Sequence, residues 1–480
     1  MDSSSETYSA STSNASSSAS TSDTSSSDDA SPPTRLKKAS RTTSKRFVDD
    51  RYQVNRFDPV RHGAIPLFLL IWSPLMVMTL ACIHFRHHSS VMDFIMNSTP
   101  TAFISRHIWG SCVSMVMVLL FATFQLALMK LLPGKRVKGP VSPNNYVPEY
   151  TENGVSAFLV TMCSYVLATT VFGLFPASII YDNFADILGT LNWVSIVLCA
   201  FLYLKGIYAP SSKDSGSSGF FTFDYFWGTE LHPSVCGWSV KMFTNCRFGM
   251  MSWGLVLISY AAAQRNNYGY VSTSMFVSTF LQLVYIFKFF WWETGYLRSL
   301  DIMHDRAGFY ICWGCLVWVP SVYTSPTLYL VSHPNELGLC ATVGITLAGL
   351  LCIYVNYAAD DDRRRVRESN GNTLVWGKPA EVIVANYITE CGQSKQSLLL
   401  VSGWWSISRH FHYIPELGAA FCWSVPALFE NVSPYFYFIF LLILLTDRSV
   451  RDDYRCAHKY GSDWDLYCER VRWNIIPYVF

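Results

Sequence analysis

The chain contains 480 residues, of which 51% are hydrophobic, 16% are aromatic and only 15% are charged. This composition excludes an ordinary soluble domain and is typical of a protein that crosses a membrane many times. The formal net charge of +2 gives no indication of a nucleic-acid partner.

The first 58 residues are predicted to form a disordered cytosolic arm. Residues 2–34 are dominated by Ser, Thr, Ala and Asp, which cannot bury enough apolar surface to fold. Five basic residues between positions 37 and 46 then form a collar, which marks the cytosolic side of a membrane. The alternative for this collar is an arm that is attracted to lipid or regulated by phosphorylation. Residues 59–480 are predicted to form one transmembrane domain.

Ten apolar segments of membrane-spanning length follow the arm. They cover residues 64–84, 108–132, 155–178, 188–208, 248–264, 271–291, 309–331, 338–358, 402–428 and 434–447. Lys and Arg lie mainly at or just past the ends of the even-numbered segments, which predicts that these loops and both termini are cytosolic. The sequence therefore predicts an all-α fold, a polytopic membrane bundle of about ten transmembrane helices.

The fourteen cysteines are scattered along the chain, mostly inside apolar segments. We expect them to be reduced and buried, and we expect no metal site.

Residues 359–379 are the most charged stretch of the predicted bundle. Three Asp precede four Arg, and Arg363 and Arg367 are four residues apart. One helical turn therefore directs both guanidinium groups to the same side, where they can bind a phosphate. A plain cytosolic connector is the alternative interpretation.

The stretch after the last apolar segment is predicted to be a helix with one polar face. Its polar residues recur at spacings of three and four: Arg448, Arg451, Asp452, Arg455, Cys456, Lys459 and Tyr460. Gly461 is expected to end this helix, and Trp464 and Tyr467 follow in a second short element. Arginines beside one carboxylate and several rings suit a large polyanionic cofactor, although a juxtamembrane helix that binds anionic lipid is the alternative.

Five motifs are spread over nearly all of the apolar chain. They read FDYFWGTELHP, HDRAGFYICWG, YLVSHP, SGWWSISRHFHY and RDDYRCAHKYGSDWDLYC. These motifs resemble those of the sterol reductases, the family of delta-14, delta-24(28) and delta-7 reductases that also includes the membrane part of the lamin B receptor. Within the family, VWVPSVYTSPTLYLVSHP and LLVSGWWSISRHFHY are most similar to the delta-7 reductases.

The resemblance implies an NADPH-dependent enzyme of sterol biosynthesis in the endoplasmic reticulum membrane, acting on the delta-7 bond of 7-dehydrocholesterol-like sterols. It implies a sterol substrate and membrane lipid as partners, and it leaves room for association with other sterol-biosynthesis enzymes. Most of the NADPH site is expected within residues 359–480. The cofactor-binding residues carried over position by position are Arg363, Arg367, Leu400, Trp405, His412, Tyr413, Asp452, Cys456, Lys459, Tyr460 and Tyr467. Arg363 and Arg367 stand where relatives bind the 2′-phosphate, which favours NADP over NAD.

Reduction of a sterol alkene requires a proton as well as a hydride, so an acid must lie beside a dry pocket. The candidate acids are Glu293, Asp301, His304, Asp305 and Tyr323. Desolvation would keep a carboxyl group protonated at neutral pH. For the four residues between positions 293 and 305, ordinary solvated loop charges are the alternative.

Differences from the family keep other functions open. His412 replaces an Asn before Tyr413, and Asp447 replaces a His. A delta-14 or delta-24(28) reductase and a sterol-binding protein without turnover are therefore alternatives. The Arg409-His410-x-x-Tyr413 pattern also resembles the isoprenylcysteine carboxyl methyltransferases, which bind S-adenosylmethionine, but those enzymes lack the large upstream bundle.

Overall fold

A computed structural model describes residues 58–97, 99–142, 144, 146–388 and 392–480. The predicted N-terminal arm therefore lies almost entirely outside the described residues. Eighteen α-helices are described: α1 (Ile65–His87), α2 (Val91–Asn97), α3 (Thr101–His107), α4 (Cys112–Leu131), α5 (Gly154–Val166), α6 (Ile179–Asp182), α7 (Phe184–Tyr208), α8 (Phe221–Trp227), α9 (Met251–Tyr268), α10 (Thr273–Trp291), α11 (Glu293–Tyr296), α12 (Leu300–Met303), α13 (Phe309–Trp313), α14 (Ser325–Ser332), α15 (Leu339–Glu368), α16 (Tyr413–Ser424), α17 (Phe436–Tyr460) and α18 (Ser462–Arg470).

Short π-helical and 3₁₀ segments extend or connect these α-helices. π-Helical segments cover Pro59–Ala64, Leu167–Val171, Met242–Met250 and Gly314–Tyr323, and 3₁₀ turns cover Gly403–Ser406, Val425–Ala427 and Ser433–Tyr435. The first π segment runs into α1 and the third into α9, so each pair forms one long helix.

Eight helices of the described chain are long and apolar enough to cross a membrane. They correspond to eight of the ten predicted segments, and the fold is a mostly helical membrane bundle as predicted. The seventh predicted segment, 309–331, consists of α13, a π-helical segment and α14 in succession, because Pro320 and Pro326 each remove a backbone donor. The ninth, 402–428, combines the 12-residue α16 with the 3₁₀ turns Gly403–Ser406 and Val425–Ala427, and α16 alone, at 1.5 Å per residue, is only about 18 Å long.

The outer surface of the bundle is apolar. On α15, Leu347 and Leu351 are each 61% exposed and Tyr354 is 65% exposed. The spacing of four and three residues places them on one face, which is suited to contact with lipid chains. Charged side chains in the interior have partners: Arg247 and Glu293, each 1% exposed, form an ion pair at 2.5 Å, and the ammonium of the buried Lys241 donates to the Asp301 and Ile302 carbonyls.

Four two-stranded antiparallel hairpins, which the sequence did not predict, complete the fold. They pair β1 (Lys135–Lys138) with β2 (Glu149–Glu152), β3 (Ser234–Val235) with β4 (Trp238–Ser239), β5 (Leu374–Val375) with β6 (Lys378–Pro379), and β7 (Val382–Ile388) with β8 (Ser394–Leu400). The β7–β8 hairpin buries Ile383, Ala385 and Leu399 against α18, so it becomes part of the wall around the carboxyl-terminal cluster.

All described cysteines are free, but the expectation that they are buried is only partly correct. Cys82, Cys199 and Cys246 are buried, as are Cys312 and Cys315, which form one C-x-x-C spacing that the sequence interpretation overlooked. Four others are exposed. Cys112, Cys163 and Cys340 lie on long apolar helices, which place small apolar residues on their outer faces as readily as inside, and Cys236 lies in the β3–β4 turn.

Candidate active site

Most of the predicted cofactor residues cluster at the carboxyl ends of α15 and α17, together with β7, the 3₁₀ turn around Trp405 and α18. We call this cluster the basic recess and define it by Arg363, Arg367, Tyr387, Trp405, Asp452, Lys459, Tyr460 and Tyr467. Arg367 lies beside Cys456, Tyr460 and Tyr467, so the structure brings the two predicted halves of the site together.

Trp405 attaches the 3₁₀ turn to α15. Its indole Nε1 donates a hydrogen bond to the Ala359 carbonyl at 2.7 Å, and its ring is 3% exposed. The Arg363 Cζ lies 4.3 Å from the ring centroid, which is a cation–π contact. Gly403 starts the turn at φ +61°, a conformation that glycine adopts without strain. The turn therefore holds the Arg363 guanidinium in a fixed position.

The acidic residues of α15 neutralise most of its arginines. Asp360 pairs with Arg363 at 2.8 Å, and the next two aspartates pair in the same way with the arginines three residues later. Arg367 differs, because among the described residues its exposed side chain has no hydrogen bond or ion pair. It is thus an available cation at the recess.

Lys459 is the second available cation. Its Nζ lies 4.1 Å from the Tyr387 ring centroid and 5.0 Å from that of Tyr460, and within the described part of the chain no carboxylate pairs with it. The positive charges of Arg367 and Arg455 lie near it. The cations of the basic recess repel one another, and Asp452 offsets only part of their charge, so the site favours a bound polyanion.

Aromatic rings form the sides of the recess. Tyr387 and Tyr460 meet edge to face at 5.7 Å, and Trp464 and Tyr467 lie 5.0 Å apart. Burial raises the pKa of Tyr387 and of Tyr467, so both phenols remain protonated near neutral pH and can donate hydrogen bonds. The sequence analysis missed Tyr387, because it did not recognise the alternating VIVANYI segment as a strand.

The remaining predicted cofactor residues border the recess in different ways. Asp452 lies near His410 and Tyr413 and, among the described residues, makes no hydrogen bond. Leu400 is 4% exposed and packs with Trp405 in a small core, so its side chain supports the wall. Cys456 is half-buried against α18.

Two histidines beside the recess are held neutral. Burial lowers the pKa of His410 to about 4 and that of His412 to about 3. The His410 ring stacks on Tyr413 at 5.1 Å, and the His412 carbonyl accepts a hydrogen bond from Asn356 at 2.9 Å. At neutral pH they add no charge to the basic recess.

Two of the candidate acids are attached to α17. The Arg448 guanidinium bonds the Asp301 carboxylate at 2.6 Å, and Arg455 contacts the His304 ring. Arg448 also lies against the Tyr310 hydroxyl. These contacts bring the loop between α11 and α13 to the membrane side of the recess.

The other candidate acids have different surroundings. Glu293 is occupied by Arg247 and by the Gly154 N–H at 2.9 Å, and Asp305 is 3% exposed near the ammonium of Lys241. The Tyr323 and Tyr437 rings lie 4.4 Å apart at an angle of 46°, and the positive charge of Arg448 acts on Tyr323. A cation near a phenol stabilises the phenolate that remains after release of a proton.

The chain is similar to known proteins over most of its length. The profile of the ergosterol biosynthesis ERG4/ERG24 family matches residues 60–480. The chain is 52% identical to the 7-dehydrocholesterol reductase of Arabidopsis thaliana over 377 residues, which is 78% of this chain and 87% of that protein. It is 35% identical to the 7-dehydrocholesterol reductase of Xenopus laevis over 74% of this chain and 76% of that protein. It is also 35% identical to a delta(14)-sterol reductase of Methylotuvimicrobium alcaliphilum over 74% of this chain and 81% of that protein.

Proposed function

This chain belongs to the ergosterol biosynthesis ERG4/ERG24 family of sterol reductases, and we propose that it reduces the delta-7 double bond of a 7-dehydrosterol with NADPH. It is a multi-pass membrane enzyme that acts on a sterol carbon–carbon double bond. The match over residues 60–480 favours this reaction over the methyltransferase alternative. The 52% identity to a 7-dehydrocholesterol reductase favours delta-7 over delta-14 or delta-24(28).

One observation carries the choice of cofactor: Arg367 and Lys459 lie in an aromatic recess without an anionic partner among the described residues. A phosphorylated dinucleotide supplies both the negative charge and the flat rings that such a recess can bind. We infer that Arg363, Arg367 and Lys459 bind phosphates. Asp452 accepts a hydrogen bond from a ribose or amide group. When bound, NADPH supplies the hydride.

The residues on the membrane side of the recess provide the proton. We propose Tyr323 as the acid, because its buried ring lies among Trp253, Tyr437 and Phe440 and the positive charge of Arg448 acts on it, which favours transfer of the phenolic proton to the alkene. Asp301 holds Arg448 in place through the 2.6 Å ion pair. Protonation at the alkene leaves a tertiary carbocation, and the surrounding aromatic residues Trp253 and Tyr437 exclude water from it.

We propose that the enzyme lies in the endoplasmic reticulum membrane with both termini in the cytosol. The carboxyl ends of α15 and α17 carry the arginines that the positive-inside rule assigns to the cytosol. Under this topology the basic recess opens to the compartment that contains NADPH. Association with other enzymes of the pathway remains a prediction.

A two-part experiment tests this function. The protein is expressed in cells that accumulate a 7-dehydrosterol, and their sterols are measured by mass spectrometry. The purified protein is then incubated with 7-dehydrocholesterol and NADPH. We expect the delta-7 bond to be lost and NADPH to be oxidised in equal amounts.

The matched variants are Asp452→Asn, which alters the recess, and Asp447→Asn, whose carboxylate is 61% exposed on the same helix. Asp452→Asn should abolish most turnover and Asp447→Asn should retain it. Sterol binding without NADPH oxidation would instead support the sterol-binding alternative. Thermal stabilisation by S-adenosylmethionine but not by NADPH would contradict the choice of cofactor.

A further inference from the structure

A small cavity lies in the bundle near the amino-terminal end of α17, far from the basic recess. Its walls come from α1, α7, the π-helical segment before α14, α14 itself and the start of α17. The lining residues are mainly apolar: Val77, Leu80, Ala81, Ile83, Phe184, Leu188, Leu328 and Phe436, with His84, Ser89, Ser321, Ser325, Tyr329 and Ser433. We call it the apolar cavity.

Most polar groups at this cavity are already occupied by the protein. The His84 Nδ1 bonds the Ser89 hydroxyl at 2.8 Å, and the Ser433 hydroxyl donates to the Ser89 carbonyl at 2.7 Å. The Ser321 hydroxyl donates to the carbonyl four residues earlier at 2.6 Å. Of the residues that line the cavity, only Ser325 has a buried hydroxyl without a hydrogen-bond partner in the described part of the chain. The cavity is therefore suited to an apolar ligand rather than to a polar one.

The size of the cavity restricts what it can hold. Its volume is about 40 Å³, the space of roughly three water molecules at 10–15 Å³ each. A sterol ring system cannot fit there, whereas the branched end of an alkyl chain has about this number of heavy atoms. The cavity would then receive only the terminal part of a longer ligand.

A line of side chains on α17 leads from the apolar cavity towards the recess. Phe436 and Phe440 are one turn apart on one face of the helix, and Arg448 lies about two turns further along it. Trp318 packs on Phe440 at 5.0 Å, one turn beyond the cavity. At 1.5 Å per residue, the twelve residues from Phe436 to Arg448 span about 18 Å. A ligand that contacts both ends must therefore be elongated and largely apolar.

The space along this line is not completely filled. Gly314 lies one turn before Trp318, and a Cβ added at Gly314 would meet no other atom within 4 Å. Trp318 Nε1 is buried without a partner among the described residues. Both features lie between the apolar cavity and the Arg448–Asp301 pair, as expected for a path that a ligand occupies.

We propose that the apolar cavity binds the end of the substrate's alkyl side chain, so that the sterol lies along α17 with its reactive ring towards Arg448. This assignment rests on the proposed sterol reductase function. It goes further by fixing the direction of the substrate: the hydroxyl-bearing ring points away from the cavity. The apolar cavity thus makes the enzyme selective for the length of the sterol's alkyl side chain.

The test compares two substrates in the same protein preparation. One is 7-dehydrocholesterol, and the other is an analogue with the same rings and hydroxyl but a two-carbon side chain. Ala81→Leu adds three carbons to a cavity wall whose alanine is 2% exposed. We expect this variant to lower kcat/KM for the long substrate by about tenfold or more, and to leave the short substrate nearly unchanged.

Two further variants keep the test independent of folding. Ala157→Leu makes the same change at a fully buried alanine outside the cavity, and it should alter both substrates equally. Ser325→Ala should leave the preference for the long substrate intact, since no sterol hydroxyl binds there.

Each alternative outcome is distinct. If Ala81→Leu lowers activity on both substrates equally, or if Ser325→Ala removes the preference for the long substrate, the orientation is wrong. If the unmodified enzyme binds NADPH but reduces neither substrate, the proposed delta-7 reaction itself is wrong. The ratio of the binding affinities of the two sterols, compared between the unmodified protein and Ala81→Leu, then still tests the cavity.

Discussion

Replacement of Arg367 by alanine should separate cofactor binding from protein stability. Arg367 is exposed at the basic recess and lies near the positive charges of Arg363 and Lys459, without a carboxylate partner among the described residues. Removing it therefore relieves repulsion in the empty protein and breaks no ion pair. The variant should melt at the same temperature as the unmodified protein or slightly higher.

Binding of NADPH should weaken markedly in the same variant. A hydrogen bond between a charged donor and a phosphate contributes about 1.5–3 kcal/mol. At about 1.4 kcal/mol per tenfold change, the dissociation constant should rise roughly 10- to 150-fold. If Arg367 binds the 2′-phosphate, NADH binding should change little. The measurement is titration of the detergent-solubilised protein with each cofactor, followed by calorimetry or nicotinamide fluorescence.

Arg365→Ala is the matched control. Arg365 lies two residues away on the same helix, but its guanidinium is paired with Asp361 and Asp362. Because its charge is already paired, its loss should leave the dissociation constant for NADPH within about twofold. The loss of this surface ion pair should lower the stability of the protein by no more than about 1 kcal/mol. Equal effects of the two substitutions, or an unchanged affinity in Arg367→Ala, would refute the assignment of the recess.

Substitutions at three other positions test neighbouring parts of the site. Tyr387→Leu should weaken NADPH binding about 5- to 150-fold and Tyr387→Phe much less, because base stacking contributes about 1–3 kcal/mol; titration of the two variants decides between a ring and a merely bulky group. Tyr323→Phe should lower kcat by about 10²- to 10⁴-fold with little change in the KM for NADPH, as expected on loss of a general acid, and a kcat within threefold of the unmodified enzyme would remove Tyr323 from that role. His410 has a pKa of about 4 in the folded state and 6.5 in the unfolded state. The stability that depends on its neutral form should be fully present above pH 6.5 and lost as the pH falls towards 4. The loss in the free energy of unfolding should be about 2 kcal/mol at pH 5. His410→Gln should therefore flatten the dependence of the melting temperature on pH in that range, and an unaltered slope would show that His410 is not the titrating group.

Local spacing was sufficient to predict the carboxyl-terminal helix of the site. The residues from Arg448 to Tyr460 recur at three and four, and Gly461 ends the helix with φ +56° as predicted. The structure adds that this polar face continues without interruption from the apolar part of the same helix. Both properties depend on neighbouring residues, which is why the sequence revealed them.

Features that depend on distant contacts were missed. The β7–β8 hairpin covers 382–400, a stretch that the sequence analysis left between a charged loop and an apolar segment. Its short apolar runs become a strand pair because α18 covers one face. The Arg247–Glu293 ion pair joins residues 46 positions apart, and no local sequence pattern predicts it. The breaks at Pro320 and Pro326 were read as part of one helix, because the hydropathy of the segment is uniform.

Because α17 is continuous, one helix can contact both proposed ligands, the sterol in the membrane and the dinucleotide in the cytosol. Phe436 at its start lines the apolar cavity, Arg448 near its middle bonds Asp301, and Lys459 near its end belongs to the basic recess. Its 25 residues make a rod of about 37 Å, in which the angle between any two side chains is set by the helix itself. Because hydride and proton transfer require reacting atoms to be placed within a fraction of an ångström, a rigid element common to both binding sites is an economical way to fix their separation. The charged end of α17 is therefore more than a membrane anchor: it is the part of the same rod that projects beyond the apolar bundle and carries the contacts to the cofactor.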